Sequence, residues 1–315
     1  MPMRVLVVTN FAPDASAPQR GRWIEDQVEA IRRMGIEVEL FVFPPGKSHY
    51  LPAILRLRRL LRRKSFALVH AHYGLVGWCA RLAGAEPLLV SFHGTDVRHP
   101  IVGWLSRRLA PRVTRVAAVS RALFEAESGR SGLPAVHGAA VLPCGADLDR
   151  FQPRSRAEAR RRLGLDPDGR YLLFPANPER PEKRHDLAAE LADASGAQLL
   201  TGGSIDPERM PAWVNAADAI VVTSDYEGFG LTCIESLACG VPVLSTPVGI
   251  APYALTGLEH THCAPFDLGA WAEAARALFA HPGLRLESRD RASLLSAMRM
   301  AERTAIAYRA VLDGE

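Results

Sequence analysis

No apolar run in this 315-residue chain approaches the length needed to cross a bilayer, so any membrane contact is expected to be peripheral. Cysteine is scarce: Cys79, Cys144, Cys233, Cys239 and Cys263 are odd in number and have no metal-ligand spacing. They lie in or beside apolar stretches, which reads as reduced thiols in a cytoplasmic protein. The net charge of +4 is too small to suggest a nucleic-acid partner. The one Arg-rich segment also lacks nearby aromatics on which bases could stack. Met1 to Arg4 leads directly into Val5-Leu6-Val7-Val8, which does not read as a secretory signal peptide. Neither a short repeat nor a low-complexity tract is present. A G-x-G-x-x-G dinucleotide fingerprint is also missing, because Cys233 stands in the third glycine's place after Gly228 and Gly230.

What is present is alternation. With 48% hydrophobic and 23% charged residues the chain can bury two cores. Short apolar runs at Val5–Thr9, Val38–Phe43, Ala67–Ala71, Leu88–Phe92 and Val113–Val119 read as strands covered on both faces. Helical patterns separate them at 23–34, 51–64, 76–82, 102–109 and 121–127. Residues 141–151 read as the exit from a first domain, and a basic helix (156–163) follows. A second series then begins. Strands are expected at 171–174, 198–201, 219–222 and 241–245, with a further one near 260–264. Helices are expected at 186–194, 210–216, 232–238, 268–280 and 289–312. The pattern predicts an α/β chain of two doubly wound, Rossmann-like domains facing a central cleft. The boundaries are 1–145 and 146–297, with a final helix at 298–315 crossing back to the first domain.

One stretch concentrates the chemistry: Glu227-Gly228-Phe229-Gly230-Leu231-Thr232-Cys233-Ile234-Glu235. One acid sits on a glycine loop after an apolar strand, and a second sits in the helix that follows. Between them lie the free N–H groups of a helix N-terminus, a natural anion site. Thr232-x-x-Glu235 also reads as a capping box, which would give Glu235 a purely helical role. Four more stretches accompany it in order: His93-Gly94-Thr95-Asp96, Pro143-Cys144-Gly145-Ala146-Asp147, Pro181-Glu182-Lys183 and Ser245-Thr246-Pro247-Val248-Gly249.

Together these stretches resemble the retaining family 4 glycosyltransferases of GT-B fold, with their E-x7-E signature, over nearly the whole chain. The resemblance implies that Glu227 meets hydroxyls of a donor sugar and Glu235 the ribose hydroxyls of its nucleotide. It assigns Lys183 and Arg180 to the leaving phosphates and makes His93 face the donor sugar. Gly228, Phe229, Gly230, Leu231, Thr232 and Asn177 complete the donor site, and Asn10, Gly21, His72 and Asp96 line the cleft. The family's Gly-Arg pair before the lysine is Asn177-Pro178 here. His70 and His72 lie on one strand face but lack a third ligand, so no metal is expected, and no cofactor beyond the nucleotide-sugar substrate.

The implied activity is retaining transfer of a sugar from a nucleoside diphosphate to an acceptor hydroxyl in glycolipid, polysaccharide or other glycoconjugate synthesis. The acceptor would be a sugar, a glycolipid or a small molecule. Residues 55–64 carry six cations (Arg56, Arg58, Arg59, Arg62, Arg63, Lys64), either as an ordinary amphipathic helix or as a dock for anionic lipid at the inner membrane face. Two rival readings are a GT-B-fold nucleotide-sugar epimerase and a nucleotide-sugar-binding protein of impaired activity. No acid/base set for sugar inversion is evident, which counts against the first. The Asn177-Pro178 departure keeps the second open.

Overall fold

A computed structural model describes residues 3–11, 21–125, 132–134, 136 and 138–314. The chain forms two compact units. One comprises the described residues up to Cys144 together with Ala297 onward, and the other runs from Gly145 to Ser296.

The first unit contains β1 (Arg4–Thr9), α1 (Arg22–Arg33), β2 (Glu37–Val42), α2 (Tyr50–Arg63), β3 (Leu68–His72) and α3 (Gly74–Ala83). Then come β4 (Leu88–Phe92), α4 (Thr95–Arg98), α5 (Pro100–Leu109), β5 (Arg115–Ala118) and β6 (Ala140–Val141). Its sheet is parallel, in the order β2-β1-β3-β4-β5-β6. Strands β3 and β4 are buried along their whole length, including His70 and His72 of β3 and Ser91 of β4. The helix predicted at 121–127 is a short 3-10 turn at Arg121–Leu123, and Glu127 lies outside the described residues.

The second unit contains α6 (Arg156–Leu163), β7 (Tyr171–Phe174), α7 (His185–Ser195), β8 (Gln198–Thr201), α8 (Met210–Ala216) and β9 (Ala219–Val222). It continues with α9 (Leu231–Ala238), β10 (Val243–Ser245), α10 (Ala251–Leu255), β11 (His262–Cys263), α11 (Leu268–Phe279) and α12 (Arg289–Ser293). Its sheet is again parallel, in the order β11-β10-β9-β7-β8.

The last helix, α13 (Ala297–Asp313), returns to the first unit. Its Ala301, Ala305, Tyr308 and Val311 share a core with Ile24, Val28 and Ile31 of α1 and Val5 and Val7 of β1. The single helix predicted at 289–312 is therefore two. The break has a hydrogen-bonding cause: Leu295 gives its carbonyl to the N–H of Ala146 (2.9 Å), and Ser296 bridges Ala146 in parallel. These backbone groups have left the helical ladder.

Two of the four arginines of α6 are not on the surface. Arg156 Nη1 and Arg160 Nη2 each reach a carboxylate oxygen of Asp218 at 2.9 Å, and all three side chains are nearly buried. Asp218 also accepts the N–H of Tyr171 at 2.8 Å, and Arg160 donates to the carbonyls of Ala216 (2.9 Å) and Pro167 (2.7 Å). The triad ties α6 to the starts of β7 and β9. Removing its one carboxylate would leave two buried guanidinium groups unneutralised, a change worth about 3–5 kcal/mol. Asp218→Ala should lower stability by that amount in urea denaturation, and a loss below about 1 kcal/mol would show that the triad is not what holds α6 in place.

Candidate functional site

In an open parallel sheet the side-chain chemistry gathers where neighbouring strands send their following helices in opposite directions. In the second unit that point lies between β7 and β9, which pair with each other while β8 and β10 lie outside them. The loop after β7 carries Asn177, Arg180 and Lys183, and the loop after β9 carries Glu227.

The two loops meet. Lys183 Nζ lies 2.6 Å from Glu227 Oε1, with both side chains largely buried. Ser224 Oγ donates to the same oxygen at 2.9 Å. The backbones are joined as well: Thr223 Oγ1 donates to the carbonyls of Lys183 (3.0 Å) and Arg184 (2.8 Å), and the N–H of Asp225 donates to Glu182 (2.9 Å). Thr246 Oγ1, after β10, donates to the carbonyl of Ser224 at 2.6 Å. No role for Thr223, Ser224 or Thr246 was legible in the sequence, although Thr246 stands in the Ser245–Gly249 stretch, since a hydroxyl after a buried strand is common.

Gly230 caps α9 in the left-handed conformation, φ 86°, and Leu231 is the first helical residue. Thr232 is thus the second residue of the helix and Glu235 the fifth. No side chain caps this N-terminus, so the expected capping box does not form. The register is set by Gly230, which accepts the N–H of Cys233 at 3.0 Å. The first-turn N–H groups of α9 therefore point back towards its N-terminus without a capping side chain. Phe229 is buried, and its carbonyl accepts the N–H of Ile250 at 2.7 Å, so it anchors the loop rather than lining it. Gly249, φ 56°, allows that approach: a Cβ there would lie 2.4 Å from the Phe229 oxygen and 3.0 Å from Glu227 Cβ.

Arg180 is held outside this centre. Its Nε and Nη2 reach Glu182 Oε1 at 2.8 and 2.5 Å, and its side chain is half exposed. Asn177 Oδ1 accepts the N–H of Glu179 at 2.9 Å, so its side chain builds the turn. The same loop presses on Gly203, where a Cβ would come within 2.8 Å of Asn177 Cα. Gly203 was not singled out by sequence, although a Gly-Gly pair directly after a strand is a signal of close backbone approach.

In the first unit the ends of β1, β3 and β4 assemble a second group. His72 Nδ1 and His93 Nε2 are 3.1 Å apart. His70, two residues before His72 and stacked on it at 4.2 Å, bonds Tyr308 Oη and Ser91 Oγ, each at 2.8 Å. Trp23 packs 4.3 Å from His93 and edge-on to His72, and Tyr73 packs 4.8 Å from His93. Tyr73 holds φ 79°, a left-handed conformation that costs a bulky residue energy and marks a site the fold overdetermines. Neither Trp23 nor Tyr73 was predicted, because an aromatic in sequence looks like core.

Burial drives the pKa of His72 down to about 3 and those of His70 and His93 well below the ordinary value, helped by their mutual proximity. Asp96 turns inward: its Oδ1 accepts the N–H groups of His93 and Gly94 (both 2.9 Å) and its Oδ2 that of Gly74 (3.1 Å). Burial raises its pKa to about 6 against the pull of those donors. It therefore shapes the His93 loop and has little left for a ligand. Asn10 Nδ2 donates to Tyr50 Oη at 3.2 Å, and Gly21 caps α1 at φ 76°. Among the described residues no cluster of His, Cys, Asp or Glu could hold a metal ion.

Two parallel doubly wound units, with charged loops at the carboxyl ends of their strands, define the architecture of GT-B glycosyltransferases. The family model described as Glycosyltransferase Family 4 matches residues 3–150, and that described as Glycosyl transferases group 1 matches residues 177–293. A D-inositol 3-phosphate glycosyltransferase of Actinosynnema mirum is 30% identical, over 76% of this chain and 71% of that protein. The D-inositol 3-phosphate glycosyltransferase 2 of Catenulispora acidiphila is 29% identical, over 76% of this chain and 68% of that protein. Among solved structures, the sucrose-phosphate synthase of Thermosynechococcus elongatus superposes with a TM-score of 0.77 at 20% identity, covering 99% of this chain and 100% of that one. Anabaena Alr3699/HepE in complex with UDP-glucose gives 0.71 at 16% identity, covering 98% and 100%. The chain belongs to the family 4 glycosyltransferases.

The buried histidines also make the protein acid-sensitive. Each has a folded pKa below its unfolded value of about 6.5, so unfolding takes up protons once the pH falls below that point. Their contribution is complete above about pH 6.5 and is lost as the pH falls towards the folded values. Stability measured by urea denaturation should fall by up to about 1.4 kcal/mol per pH unit for each histidine between pH 6 and 4. His72→Phe should flatten that slope by one histidine's share, and an unchanged slope would contradict the buried neutral state.

Proposed function

We propose that this enzyme transfers a sugar, with retention of configuration, from a nucleoside diphosphate donor to an acceptor hydroxyl. The observation that carries the reading is the Lys183–Glu227 pair at the switch point of the second sheet, beside the uncapped N-terminus of α9. A diphosphate offers Lys183 a stronger partner than one carboxylate oxygen. The first-turn N–H groups of α9 and the helix dipole add to the attraction. When Lys183 turns to the phosphates, Glu227 is released to accept hydroxyl protons of the sugar, with Ser224 still holding one of its oxygens. Glu235 faces the ribose. As the glycosidic C–O bond breaks, charge grows on the diphosphate, and Lys183 stabilises it more in the transition state than before.

No carboxylate in this loop is set up as a nucleophile: Glu227 Oε1 already receives two hydrogen bonds. The course proposed is front-face, in which the departing phosphate takes the acceptor's proton. The names of two bound states in Anabaena HepE, UDP and UDP-glucose, favour a uridine donor. The relatives named for D-inositol 3-phosphate place that compound in the acceptor panel.

A lipid-linked acceptor is the other candidate. The outer face of α2 exposes Leu51 and Leu55 in line with Arg58, Arg59 and Arg62, while Leu57 is buried beneath. Apolar and basic residues at helical spacing suit the surface of an anionic membrane, where the protein is proposed to work from the cytoplasmic side.

The test is turnover of UDP-, GDP- and ADP-sugars with each acceptor class. Glu227→Gln and Lys183→Met should each lower kcat by about 10²–10³-fold, while Arg180→Ala should cost far less, because its guanidinium is engaged by Glu182. If wild type turns over no donor although it binds the nucleotide in thermal shift, the transferase reading fails. Solvent deuterium entering the sugar without acceptor would favour an epimerase instead. Binding to phosphatidylglycerol vesicles should weaken at least tenfold in the Arg58→Glu/Arg59→Glu/Arg62→Glu variant; equal binding would remove the membrane assignment.

A further inference from the structure

His72 has no part in the chemistry proposed above, yet it is buried at the back of His93, and its geometry constrains that residue in a specific way. Both rings are buried together, and burial holds their pKa values below the ordinary value, so both are neutral near pH 7. Each ring then carries one N–H and one bare nitrogen. The facing atoms, His72 Nδ1 and His93 Nε2, are 3.1 Å apart, so one must be protonated and the other not. His70 is under no such constraint, because both its nitrogens meet hydroxyl groups, which can donate or accept.

The two arrangements differ at the far side of His72. Its Nε2 is buried and has no hydrogen-bond partner. If His93 were the donor, the His72 proton would sit on that Nε2, an N–H buried with no acceptor. If His72 Nδ1 is the donor, Nε2 keeps only a bare lone pair. Buried N–H groups without acceptors are the rarer defect in folded proteins, so the second arrangement is favoured. His93 Nε2 is then an acceptor, and the His93 proton is forced onto Nδ1. That nitrogen makes no hydrogen bond with any described residue, which leaves it for a ligand. Trp23 and Tyr73, packed about His93, hold the ring in place.

We infer that His72 is a positioning residue that locks His93 in its Nδ1–H tautomer, so that His93 offers a hydrogen-bond donor, not an acceptor, to an oxygen of the substrate. The assignment of the tautomer stands on the geometry alone; its catalytic use rests on the transferase reading. With 15N-labelled histidine, long-range proton–nitrogen correlation spectra should show His72 and His93 both protonated on Nδ1. Protonation of His93 on Nε2 would overturn the inference, whatever the activity.

The use is tested by two variants. His72→Phe removes the donor and should lower kcat about tenfold, the worth of one hydrogen bond, with nucleotide affinity unchanged. His72→Asn places an amide N–H where Nδ1–H stood and should recover most of that loss together with the His93 tautomer. Equal kcat in the two variants would overturn the positioning role. If the Phe variant does not fold, a His72→Asn enzyme in which His93 keeps its tautomer but loses activity as a full truncation would overturns it equally. A wild-type enzyme inactive on every donor, but with both protons on Nδ1, would sink the transferase reading and leave the tautomer assignment intact.

Discussion

The salt bridge between Lys183 and Glu227 is the constraint on which the second unit's working end depends. Two oppositely charged groups, both largely withdrawn from water, are stable there because they satisfy each other and Ser224 donates to the carboxylate. The neighbouring backbone is arranged around that need. Thr223 and Thr246 tie three loops together, Gly249 lets the Phe229 carbonyl approach, and Gly230 turns the chain into α9 without a capping side chain. A pair held this firmly is also a pair that a stronger anion can divide. Under the proposed function the same arrangement serves stability before a donor arrives and selectivity for a diphosphate when it does.

The first unit solves a different problem with neutral groups. Three imidazoles lie one behind another at the ends of β3 and β4, and none carries charge. Aromatic rings, a tyrosine from the last helix and a serine from β4 satisfy them or pack against them. One unit thus presents formal charge on mobile-length side chains, and the other presents a fixed, uncharged dipole.

Much of this was legible in the residues. The alternation of apolar runs and helical patterns marks both parallel sheets, because strands covered on two faces are mostly apolar. Glu227 stood out as an acid on a glycine loop, while Lys183 was singled out by the resemblance to the family. What was not legible depended on register or on distant partners. Thr232-x-x-Glu235 has the spacing of a capping box, but Gly230 starts the helix two residues too early for it to form. The arginines of α6 look like a solvated face, yet Asp218, about 60 residues on, draws two of them inward. The division of the last predicted helix depends on a backbone bond from Ala146 that no local pattern can announce. Asp96 and Asn10 sit at the expected strand ends, but the Asp96 carboxylate is spent on neighbouring backbone and the Asn10 amide nitrogen on Tyr50.

Because α13 completes the core of the first unit, that unit is discontinuous in sequence, and the second is in effect inserted into it. Shortening the chain by its last turns is thus a lesion of the first unit, felt at Ile24, Val28 and His70. A fragment ending near Cys144 would expose the apolar face that Tyr308 and Val311 cover. Among the described residues the second unit is a single uninterrupted piece, from Gly145 to Ser296.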